Sequence, residues 1–166
     1  MSKTQWYIGA PNGVVLCIDR AFRGEFAGRL YHSYREDAVP FENAEQMSFL
    51  MEQLYDTLNF PHPGTNERTF AATKKTTERM TERKKIMSDD ALLSKHGDIG
   101  TFIVRVQHRQ NSSWQGRITW MEEDKTLYFR SVWEMIKLIE SAVDTVSEQE
   151  TDETEEKEPG WFGGDR

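Results

Sequence analysis

The chain has 166 residues, 37% hydrophobic and 30% charged, with a formal net charge of -7. That length fits one ordinary domain or two small halves sharing a core, and the modest hydrophobic share leaves room for unfolded segments. No apolar run approaches the ~20 residues that cross a bilayer, and Cys17, the single cysteine, excludes an internal disulfide and a cysteine-based metal cage. The N-terminal residues lack the apolar stretch of a secretory signal, so cytoplasmic residence without a membrane partner is the expectation.

In chain order, Trp6, Tyr7 and Ile8 read as a short strand before the Pro11-Asn12-Gly13 turn. Residues 14–20 alternate Val14, Leu16 and Ile18 against Val15, Cys17 and Asp19, which predicts a strand. A turn at Arg23-Gly24 leads into a second strand over 26–35, and a third covers 39–41. Met47, Leu50, Met51, Leu54 and Leu58 then recur at helical spacing, which predicts a helix over 44–58. The same order returns as strands over 102–109, 114–122 and 127–129 and a helix over 132–146.

The return is residue by residue. Residues 14–58 and 102–146 align without a gap at an offset of 88: Gly28 with Gly116, Arg29 with Arg117, Phe41 with Phe129, Met47 with Met135. Both helices open on a capping-box pair, Asn43 with Gln46 and Ser131 with Glu134, in which one side chain accepts an early helical N–H and the other reaches back. The expected fold is therefore α+β: two β-rich units, βββα or ββββα, each ending in a helix and packed with pseudo-two-fold symmetry. Copy one covers 6–58 and copy two 101–146 of one domain over 1–146, with the helices against one sheet face. Residues 59–100 read as a mobile, partly helical linker, with a candidate surface helix over 77–87. Residues 147–166 read as a disordered acidic tail.

Charge is segregated along this plan. Residues 144–158 hold eight carboxylates against Lys157, whereas residues 74–85 hold Lys74, Lys75, Arg79, Arg83, Lys84 and Lys85 against Glu78 and Glu82. The tail then presents Trp161 and Phe162, an aromatic pair suited to docking a partner.

No motif for catalysis is present, and neither cofactor nor metal is expected. His32, His62, His96 and His108 are scattered, and no metalloprotease, phosphate-loop, dinucleotide or nucleophile-elbow pattern occurs. His32 stands on an inward strand position, where a packed, hydrogen-bonded histidine is the plainer reading. Cys17 sits in an apolar strand without a base beside it in sequence. Gly28 and Gly116 each follow an aromatic residue by two positions, which suits a ring or a helix packing over the glycine.

Surface chemistry remains. With Phe102, Val104 and Val106 facing the helices, Arg105, Gln107 and Arg109 face outward. Gln115 and Arg117 on the next strand, and Arg29 and an exposed Tyr31 in copy one, do the same. Four arginines with two glutamines and no intervening carboxylate suit phosphate and base-edge contacts, to which Lys74, Lys75, Lys84 and Lys85 would add. A solvated sheet face is the alternative.

The layout from residues 15–19 through Gly28-Arg29-Leu30, Pro40-Phe41 and the capped helix, given twice, resembles the PUR-repeat and PC4-like single-strand nucleic-acid-binding proteins. The resemblance implies curved sheets that bind single strands and a non-enzymatic role. The expected function is single-stranded nucleic-acid binding with a regulatory or partner-recruiting tail. The alternative is a protein-interaction or adaptor module engaged through the sheet face or the Trp161-Phe162 tip.

Overall fold

A computed structural model describes residues 8–64, 68–71 and 84–156, the last six of these as helix backbone. The order is β1 (Val14–Phe22), β2 (Glu25–His32), β3 (Val39–Phe41), α1 (Ala44–Leu58), α2 (Asp89–Leu93), β4 (Gly100–His108), β5 (Gln115–Trp120), β6 (Lys125–Phe129) and α3 (Val132–Glu156). The protein is α+β, with one six-stranded sheet in the order β3-β2-β1-β4-β5-β6, antiparallel at every junction. Among the described residues no helix is long and apolar enough to cross a membrane. Ile8 lies outside any strand, and Trp6 and Tyr7 fall outside the described residues.

Local chemistry explains the joints. Arg23 and Gly24 both take positive φ, 51° and 78°, which matches a two-residue hairpin turn to the twist of its strands. Asn111 and Ser112 take 54° and 56° between β4 and β5. Each long hairpin carries one bulge, at Asp19 and at Gln107. Asn43 Oδ1 accepts the Gln46 N–H at 2.8 Å, and Ser131 Oγ accepts that of Glu134 at 3.0 Å. The returning Gln46 and Glu134 side chains accept from Glu42 and Arg130 N–H, one residue before each cap.

Both sheet faces are buried over the central strands, which is why residues 14–18 are apolar without interruption. On one face Val14, Leu16, Ile18, Leu30, Phe102, Val104 and Ile118 pack against Met47, Met51 and Tyr55 of α1 and Met135 and Ile139 of α3. On the other, Val15, Cys17, Tyr31 and Ile103 lie under Ile8, Met87, Leu92 and Met121.

That second core corrects the reading of residues 59–100 as a mobile linker. Ile86 and Met87 N–H donate to Ser33 O at 2.7 and 3.0 Å, α2 buries Leu92, and Ile99 N–H donates to Ile18 O at 2.8 Å. The expected helix over 77–87 falls mostly outside the described residues, and Met87 itself is not helical. A second correction concerns the tail. α3 runs on through 147–156, where disorder was expected; Glu and Gln are good helix formers. The glycine expectation also changes. A Cβ on Gly28 would stand 1.9 Å from Cys17 O and one on Gly116 2.1 Å from Arg105 O, so the neighbouring strand's backbone excludes a side chain.

Candidate functional site

The four arginines expected on one open face have different fates. Arg29 forms a two-pronged pair with Asp19, Nε to Oδ2 at 2.8 Å and Nη2 to Oδ1 at 3.1 Å. It also donates to Tyr31 Oη at 2.7 Å and His96 O at 3.0 Å. These hydrogen bonds hold the Asp19 carboxyl below its ordinary range and raise Arg29 above its own. Arg29 is thus consumed in tying the α2–β4 connection to the sheet. Tyr31, expected as an exposed stacking residue, is only 8% exposed.

Arg109 does not face outward either. It is buried, donating from Nε to Pro61 O at 2.7 Å, from Nη1 to Asp56 Oδ1 at 2.6 Å and from Nη2 to Tyr55 O at 3.4 Å. The β4 bulge precedes it, and the chain leaving α1 folds over it through the Gly64 N–H to Arg109 O bond of 3.0 Å. Gln115 closes its own loop, accepting from Gln110 N–H and donating to Gln110 O and Arg130 O. Gln107, Lys84 and Lys85 are exposed. Lys74, Lys75, Trp161 and Phe162 lie outside the described residues.

What the fold does bring together is one row across three strands. Arg105 stands opposite Arg117, and Arg117 opposite Tyr128. Strands lie ~4.8 Å apart, so the row is about 10 Å wide. Arg105 is partly engaged, its Nε donating to Ile8 O at 2.6 Å. Arg117 makes no hydrogen bond or ion pair among the described residues, and its Nε is buried without a partner. Tyr128 is 70% exposed. Beside them, Thr119 and Thr126 share a hydroxyl hydrogen bond of 2.8 Å.

Thr101, Ile103, Arg105, Arg117, Thr119, Thr126 and Tyr128 point to this face from β4, β5 and β6, with no carboxylate among them. The carboxylate at its far end is Glu122, which accepts the Thr101 N–H and is pushed up by burial. Tyr128 is the residue sequence reasoning missed. Its signal was alternation: Phe129 faces the helices, so Tyr128 faces away.

Elsewhere among the described residues, Cys17 and His32 are packed groups. Burial pushes the Cys17 thiol up to about 12. His32 is buried and its Nδ1 accepts the Tyr34 N–H at 3.1 Å, the packed role expected of it. Among the described residues no three His, Cys, Asp or Glu side chains gather as a metal site would require. Comparison with known protein families, with curated protein sequences and with solved structures found no match to this chain.

Proposed function

We propose that the chain is a non-enzymatic, single-stranded nucleic-acid-binding protein made of a duplicated βββα unit. Its binding face is narrowed to β4, β5 and β6. The observation that carries this reading is Arg117. A partly buried guanidinium without an acceptor is costly, and a second arginine directly opposite adds like-charge repulsion. An oxyanion bridging Arg105 and Arg117 removes both costs, and a planar fork suits a phosphate. Tyr128, next in the row, offers a ring on which a base can stack, worth ~1–3 kcal/mol per base. An open sheet face reaches splayed bases of a single strand more readily than paired ones.

Four pairs of features separated by 88 residues support the duplication. They are the positive-φ turns at Arg23-Gly24 and Asn111-Ser112, the bulges at Asp19 and Gln107, the caps at Asn43 and Ser131, and the crowded Gly28 and Gly116. An acidic peptide of a protein partner would also satisfy Arg117, which keeps the adaptor reading as the competitor. Anisotropy titration of a labelled single-stranded oligonucleotide at low salt, against an acidic peptide of equal charge, separates the two.

A further inference from the structure

The sheet ends differently on its two sides. β3 closes one side with three residues, and the middle one, Pro40, has no N–H to offer a further strand. β6 closes the other with five residues and holds no proline; position 128, 88 residues after Pro40, is Tyr128. Lys125, Thr126, Leu127 and Tyr128 are all exposed, and no strand lies outside β6 among the described residues. Leu127, 53% exposed, stands on the helix side of this edge, and Tyr128 on the other. The one charge in the strand, Lys125, sits at its end. An open edge with apolar side chains at its centre is a template for another strand.

We propose that β6 pairs antiparallel with β6 of a second molecule of this chain, across a two-fold axis normal to the sheet. Directly opposed residues of an antiparallel pair point to one face, so helix-side Leu127 must meet a helix-side residue. The register that meets this condition and overlaps all five residues centres on Leu127. It sets Leu127 against the second molecule's Leu127, Thr126 against its Tyr128 and Lys125 against its Phe129. One residue beyond, at both ends, Asp124 meets the second molecule's Arg130, whose side chain is 88% exposed. Opposite charges thus flank the seam, while the two Lys125 side chains start ~14 Å apart, beyond the screening length at physiological salt. The axis keeps both helix layers on one side of the joined sheet and both arginine rows on the other. A five-residue seam falls below the ~1,000 Å² of a standing interface, so this dimer is weak and forms with concentration.

Sedimentation of the full chain from micromolar to millimolar concentration tests this, alongside amide hydrogen exchange at residues 125–129. The wild type should pass from monomer to dimer, and exchange at 125–129 should slow as it does. Leu127→Lys and Leu127→Glu each set a charge against its own copy across the axis, and each should weaken the dimer about ten-fold or more. Mixing the two variants sets Lys against Glu and should restore association, as a residue lying on the two-fold axis requires. The exchange of the wild type decides the matter even where a variant is unstable. A chain that stays monomeric at millimolar concentration, variants that dimerise as well as the wild type, or a mixture that gains nothing would each overturn the proposal. So would slow exchange at 125–129 in the dilute monomer, because another segment then covers the edge.

Discussion

Val15 on β1 lies directly opposite Ile103 on β4, and the two are 88 residues apart, the offset at which the halves of the sequence align. Val14 faces Val104 and Leu16 faces Phe102, so the offset of 88 exchanges one pair for the other. A two-fold relation between the β1–α1 and β4–α3 units requires this register, and the proposed axis passes through the Val15–Ile103 pair.

If the units are copies, matched substitutions should have matched costs. Gly28→Ala and Gly116→Ala each drive a Cβ into a backbone carbonyl, so each should cost about 3 kcal/mol or more in urea unfolding. Gly24→Ala meets no atoms within 4 Å and strains only its φ of +78°, so it should cost about 1–2 kcal/mol.

Arg109 should behave as a structural residue rather than a ligand contact. Arg109→Ala leaves the Tyr55 and Pro61 carbonyls and the part-exposed Asp56 carboxylate without their donor, with an expected loss of ~1–3 kcal/mol of stability. Arg109→Lys should recover only part of it, because a single ammonium cannot span acceptors arranged for a planar fork.

The Arg29–Asp19 pair predicts acid sensitivity. Asp19 is held below its ordinary 3.8, chiefly by hydrogen bonds from Arg29. A depressed carboxylate stabilises fully above its unfolded value and loses that contribution as pH falls through the folded one. The melting temperature of the wild type should therefore exceed that of Asp19→Asn at pH 6, and the gap should shrink as pH falls below about 4.

Cys17, with its thiol pushed up to about 12 in a fully buried site, should resist an aromatic disulfide reagent at pH 8 in the folded protein. In denaturant it should react at once. Rapid labelling of the native chain would contradict the described cover over that face.

Local features were legible in the sequence and long-range ones were not. The caps at Asn43 and Ser131 and the turn at Arg23-Gly24 are set by residues within four positions of each other. The fate of Arg109 depends on Asp56 and Pro61, roughly fifty residues away, and nothing near it in sequence announces them. The cover over Val15 and Cys17 comes from Ile8, Met87 and Leu92, which lie in apolar clusters of two or three residues, too short to show a periodicity. Tyr31 and Tyr128 look alike in sequence, and only that cover separates the buried ring from the exposed one.

At Arg117, stability and binding should move in opposite directions. Arg117→Met removes a buried, unpartnered polar group and should raise stability by about 1 kcal/mol.

The most direct measurement is the anisotropy of a labelled single-stranded oligonucleotide titrated with wild type, Arg117→Met and Tyr128→Ala across a salt series. Wild type should bind at low salt with a slope of log K against log salt near -1.4, two phosphates at ~0.7 each. Arg117→Met should lose most of the binding although it is the more stable protein, and Tyr128→Ala should weaken it without changing the slope. No binding by wild type at low salt, or undiminished binding by Arg117→Met, would contradict the account.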